Sequence, residues 1–109
     1  MKPNILAIDW ALVDEVALSL VSHVEFYDSS EALRCLISRL IQGGGYMKGM
    51  GESLYIPYVR QAIRSKYFRQ YYGDITLNRY EVEAVAEQLF FHYLEEISDM
   101  ADIDNAVIQ

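Results

Sequence analysis

The sequence predicts an all-α fold: one small domain over residues 1–109, a four-helix, bundle-like structure with a glycine-rich loop between the second and third helices. Three observations carry this. Apolar residues recur at intervals of three and four, which lines one face of a helix. Capping residues precede these runs and glycines follow them. Segments alternating apolar and polar, as a half-buried strand requires, are almost absent. The hydrophobic fraction of 52% supplies a core for a chain of 109 residues and excludes intrinsic disorder.

The first helix is expected over 10–24, with Asp9 as N-cap and a stripe of Leu12, Val13, Val16, Ala17, Leu20 and Val24. Asp14 and Glu15 lie off that stripe and suit the electropositive first turn. Residues 1–8 read as an N-terminal arm, for which a strand, an extended segment and an early helical turn are all compatible. The second helix is expected over 29–42. Asp28 and Glu31 have capping-box spacing, Leu33, Leu36, Ile37, Leu40 and Ile41 form its stripe, and Gly43 ends it. The third is expected over 57–72, because Pro57 suits a first helical position where its missing N–H goes unused. Ile56, Val59, Ile63, Tyr67 and Tyr71 share its apolar face, and Gly73 stops it. The fourth, over 79–100, opens with the cap pair Asn78 and Glu81. Its stripe is Val82, Val85, Ala86, Leu89, Tyr93 and Ile97, widened by Phe90, Phe91 and Leu94, so it should have neighbours on two sides. Residues 101–109 show no cap or period and read as a tail that frays or packs as an arm.

Charge is distributed unevenly within a net of −7. Residues 57–72 hold four basic groups and no acid, while 74–104 hold nine acids against Arg79 alone. Net acidity opposes broad contact with nucleic acid or anionic lipid, although a local basic strip can still hold one anion. No apolar run approaches the roughly 18 residues of a membrane span. Acids at Asp9, Asp14 and Glu15 interrupt any signal-peptide core, so the expected location is cytoplasmic. The lone Cys35 excludes an intrachain disulfide framework and reads as a small apolar helix residue.

The stretch QGGGYMKGMGESLYIP, residues 42–57, resembles a phosphate loop only superficially. A Walker A loop places lysine directly after the closing glycine, with Ser or Thr next and a strand before. Here Lys48 precedes Gly49, and the preceding segment is helical. The dinucleotide fingerprint fails too, since Leu54 stands where its third glycine belongs. The stretch therefore reads as an interhelix loop, and its Tyr46, Met47 and Met50 suit contact with a partner.

The segment PYVRQAIRSKYFRQYY interleaves Arg60, Arg64, Lys66 and Arg69 with aromatics, a pattern that can grip phosphates while stacking bases. The competing reading buries Tyr67 and Tyr71 and pairs Arg60 and Arg64 with acids of the fourth helix. His23 and His92 lie in no ligand or catalytic spacing. No catalytic, cofactor-binding or metal-binding residue is identified, and no cofactor is expected.

The acids Glu81, Glu83, Glu87, Glu95, Glu96, Asp99, Asp102 and Asp104 form the last feature. They are either a solvated face or a negative surface made to occupy a basic one. The functional expectation is a small, acidic, non-enzymatic protein that binds and inhibits or adapts another macromolecule. Toxin-neutralising immunity proteins and phage-encoded anti-defence proteins work on that principle, a likeness of type carried by no motif. The expected partner is a protein or nucleoprotein with a basic surface, not nucleic acid alone and not a membrane. Its expected contacts are Tyr46, Met47, Met50, Glu83, Glu87, Glu95 and Glu96. The alternative is a helical nucleic-acid-binding regulator whose anion site is Arg60, Arg64, Lys66 and Arg69.

Overall fold

The computed structural model describes residues 8–108, with side chains described for 8–98. These residues form five helices: α1 (Trp10–Ser22), α2 (Val24–Gln42), α3 (Met50–Ile63), α4 (Lys66–Tyr72) and α5 (Arg79–Ile108). No strand occurs among the described residues. Residues 1–7, most of the expected arm, lie outside the description. The expected tail over 101–108 continues α5 as helix instead of forming a separate segment.

α1 starts where Asp9 directs it: the Asp9 carboxylate accepts from the Leu12 amide at 3.2 Å, satisfying one of the first-turn donors. Val13, Val16, Ala17 and Leu20 are buried as their spacing requires and Leu12 is half-buried, but Val24, expected on the same stripe, instead opens α2 at 78% exposure. The helix ends at Ser22, because His23 is extended and a new helix begins at Val24. Asp28 and Glu31 therefore lie inside α2 and face solvent; they do not cap it. Burial decides this start. Phe26 is 5% exposed, and its carbonyl accepts from the Tyr58 hydroxyl at 3.0 Å, a tertiary anchor that outweighs the local cap signal. At the other end three glycines close α2 as a Schellman motif. The Gly45 amide donates to Leu40 O and the Gly44 amide to Ile41 O. The left-handed residue this needs is Gly44, at φ 77°.

α3 begins at Met50, one full turn and more before Pro57, which sits in the helix interior. An interior proline costs about 3 kcal/mol. The turns before it are held nonetheless by Gly51 and Tyr55, both buried. At Gly51 the backbone of α3 lies directly against the Phe90 ring of α5, leaving no room for a Cβ. The single helix expected over 57–72 is broken at Arg64–Ser65. Ser65 is extended and its hydroxyl accepts from the Phe68 amide at 3.3 Å, opening α4. Of α4 only Phe68 is buried; Tyr67 and Tyr71 are half exposed rather than in the core.

α5 is the central element, packed against α1, α2 and α3 together. Its expected stripe of Val82, Val85, Ala86, Leu89, Tyr93 and Ile97 is buried throughout. The Asn78–Glu81 capping box forms with both bonds at 2.9 Å. The second Glu81 oxygen accepts from the Asp9 amide at 2.9 Å. One buried carboxylate thus serves the starts of both α1 and α5, and Glu81 leaves the set of surface acids.

On α2 the inward face differs from the expected stripe. Ile37 is buried, but Leu36 is 45% exposed, and Ser30, Arg34 and Ser38 turn inward. Arg34 is 1% exposed. Its guanidinium lies 4.3 Å from the centre of the Tyr93 ring and 5.0 Å from that of Tyr27, and Nη1 donates to Ser30 Oγ at 2.9 Å. Glu96 brings an oxygen within 3.1 Å of Nε. That contact is Coulombic and off the N–H direction, so Nε has no aligned acceptor. Tyr93 stacks in turn on Tyr55, whose hydroxyl lies near Ser30 without a well-aligned hydrogen bond. Burial pushes the Tyr55 and Tyr58 phenols far above their ordinary range.

Candidate functional site

With the inner arc of α5 committed to the core, its outer arc defines the first candidate surface. Glu83, Glu87, Phe91 and Glu95 recur every fourth residue and are all exposed. This row winds slowly over about 18 Å of helix. Phe91 is 55% exposed, and its ring meets that of the buried Phe90 edge-on. It does not widen the apolar stripe as its neighbours suggested; it stands among the glutamates. Helical phase shows why. Phe91 is one residue beyond Phe90, a rotation of about 100° away from the buried arc. A half-exposed aromatic within a row of like charges has the makeup of an interface anchor with a charged rim.

The glutamates of this face are not equivalent. Glu83 lies 3.8 Å from Arg79 across one helical turn, an exposed pair of the kind worth about 0–1 kcal/mol. Glu96 turns toward α2 and neutralises Arg34, though it remains half exposed. Glu87 and Glu95 make no ion pair with the described residues. The side chains of Asp99, Asp102 and Asp104 lie outside the description.

The glycine-rich connection contributes less than its composition suggests. Tyr46 is half buried against the core, and Met50 is half buried as the first residue of α3. Met47 alone is fully presented, at 68% exposure.

The second candidate surface is the corner where α3 breaks into α4. Arg60, Arg64, Lys66 and Arg69 are exposed, and no ion pair among the described residues reaches them. The expected neutralisation of Arg60 and Arg64 by acids of the last helix does not occur. Several of those acids are engaged elsewhere, Glu81 with the Asp9 and Asn78 amides, Glu83 with Arg79 and Glu96 with Arg34, and α3 meets α5 through apolar and aromatic contacts such as Gly51 on Phe90 and Tyr55 on Tyr93. Arg64 lines two clefts at once. One, of about 510 Å³, also holds Arg69 and Asp74; the other, of about 580 Å³, holds Arg60. Beside this corner Tyr71 stacks on His23, with ring centres 4.5 Å apart.

His23 is therefore a stacking partner, and His92 rests edge-on against Tyr93. Cys35 is free and half buried on α2. Among the described residues no group of three His, Cys, Asp or Glu side chains could hold a metal ion, and no helix is long and apolar enough to cross a membrane. Comparison of the chain with protein-family models, with curated proteins and with solved structures finds no match.

Proposed function

We propose that this bundle-like chain is a cytoplasmic, non-enzymatic protein that binds another macromolecule through the outer face of α5 and inhibits or adapts it. The observation that carries the reading is the row Glu83, Glu87, Phe91 and Glu95 on the solvent side of the helix that centres the core. Such a face suits a basic protein or nucleoprotein surface. Summed charge speeds the encounter, and an aromatic seated in a pocket slows departure. A rigid supporting helix adds to this, because little conformational freedom is lost on docking.

The test uses the full chain and two variants. Glu83, Glu87 and Glu95 are reversed together to lysine, with Glu96 left in place because Arg34 needs it; Phe91→Ala is made separately. Both should keep the wild-type circular dichroism spectrum. A partner captured from nuclease-treated lysate should associate more slowly with the charge-reversed variant, with a weakened dependence on salt. It should leave Phe91→Ala about thirtyfold faster, the equivalent of a 2 kcal/mol hot spot. A partner whose binding rates are unchanged by both variants, or one that disappears on nuclease treatment, refutes the reading.

A further inference from the structure

The broken α3–α4 corner carries chemistry that the acidic face does not use. We propose that the cleft between Arg64, Arg69 and the 73–77 connection binds a small organic phosphate, independently of any partner on α5. Four features support this. The cleft, about 510 Å³, falls within the roughly 300–1,000 Å³ typical of ligand sites. Two arginines line it, and neither is consumed by an ion pair among the described residues. Guanidinium forks match the tetrahedral oxygens of a phosphate better than any other side chain. The half-buried Ile63 and Ile75 give the same cleft an apolar wall, Thr76 adds a hydroxyl, and the Asp74 carboxylate can accept from a ligand's hydroxyls while the two arginines outweigh its charge.

This combination selects a ligand with an anionic end, an apolar or planar body and hydroxyls, of which a nucleoside monophosphate is the simplest example. The neighbouring cleft shares Arg64 and adds Arg60, so a second phosphate on the same ligand has a place to go. A long nucleic-acid strand fits less well. Each added phosphate outside the corner meets a molecule of net charge −7, whereas a small ligand feels chiefly the charges within a Debye length of about 8 Å. The chain break is what makes the site. The cleft is lined from both sides of the break, by Ile63 and Arg64 at the end of α3 and by Arg69 of α4 together with the 73–77 connection.

The experiment is an NMR titration of the isotopically labelled full chain at about 50 mM salt, below the range where screening is strongest. The probes are adenosine monophosphate, adenosine, inorganic phosphate and a twelve-residue oligothymidylate. Adenosine monophosphate should shift the methyl signals of Ile63 and Ile75 saturably. Arg64→Gln and Arg69→Gln should each weaken it about tenfold or more, the loss expected for a charged hydrogen-bond donor. Lys48→Gln, which removes an exposed cation on the glycine-rich connection, should leave the affinity unchanged. Adenosine should bind far more weakly, and so should inorganic phosphate. Equal losses from Lys48→Gln and Arg64→Gln would overturn the proposal, since the effect would then be general charge. Inorganic phosphate matching the nucleotide would overturn it as well, because the apolar wall would contribute nothing. Tighter binding of the oligonucleotide would replace it with a strand-binding surface.

Discussion

Replacing Arg34 by methionine is expected to leave the folding free energy within about 1.5 kcal/mol of wild type, although the arginine is 1% exposed. The magnitude follows from opposing terms. Two cation–π contacts at 4.3 and 5.0 Å contribute about 0.5–2 kcal/mol each. The bond to Ser30 at 2.9 Å adds about 1.5–3 kcal/mol for a charged donor. Pairing with Glu96 adds about 0–1 kcal/mol, because that carboxylate is half solvated. Against these stands a desolvation cost of several kcal/mol for a buried ion. The net is small, and methionine keeps most of the volume between Tyr27 and Tyr93. Arg34→Ala should instead cost about 2–5 kcal/mol through the void it leaves. Glu96→Gln should cost about 1–2 kcal/mol, less than the roughly 3–5 kcal/mol of breaking a fully buried pair. Urea denaturation followed by circular dichroism, with the slope checked for constancy, measures all three. A loss above about 3 kcal/mol for Arg34→Met together with a neutral Glu96→Gln would refute this accounting. The guanidinium donors, and not the volume, would then be holding α2 to α5.

Three further outcomes are expected. Gly51→Ala should destabilise by about 1–3 kcal/mol through collision with Phe90, despite the helix preference for alanine; in a Phe90→Leu background the same change should be much cheaper, and a double-mutant cycle showing no coupling would refute the close approach. Ile37→Ala should cost about 2–5 kcal/mol, whereas Leu36→Ala, at 45% exposure, should cost less than about 1 kcal/mol; equal losses in thermal denaturation would mean the inward face of α2 is misassigned. Alkali should destabilise the fold: Tyr55 and Tyr58 have raised folded-state values, so the stability they contribute is complete below the unfolded phenol value of about 10 and falls as pH rises above it. Urea titrations between pH 8 and 12, compared with the double variant Tyr55→Phe/Tyr58→Phe, check this, and a parallel loss in both proteins would remove these phenols as the cause.

Much of the fold was legible because its signals are local. Asp9, the Asn78–Glu81 pair and the glycines after Gln42 each act within a few residues of themselves, and each does what its spacing dictates. The α5 stripe was legible because a helix packed against three others has a wide apolar arc. What failed depends on distant residues. Nothing near Arg34 in sequence indicates that it is buried; its partners Tyr93 and Glu96 arrive from another helix, and they turn α2 so that Leu36 faces water. Pro57 sits inside α3 because Gly51 and Tyr55, ahead of it, are held by core packing. At the candidate surfaces the row of glutamates was legible, but Phe91 was absorbed into an apolar run whose phase excludes it. The two clefts at Arg64 had no sequence signal, since they exist only where the helix breaks.

The shared carboxylate of Glu81 has a kinetic consequence. It joins the amide of Asp9 to the opening of α5 across a sequence separation of 72 residues, so a loop of most of the described chain must close before that bond can form. Helices that meet their neighbours in sequence can assemble early from local contacts, while this clasp waits for long-range closure. Its energy is therefore expected chiefly in the unfolding barrier: a variant that loosens Glu81 frees the beginnings of two helices at once and should unfold faster without folding more slowly. The clasp lies at the end of α5 where the glutamate row begins, so the face proposed for partner contact would gain persistence from it.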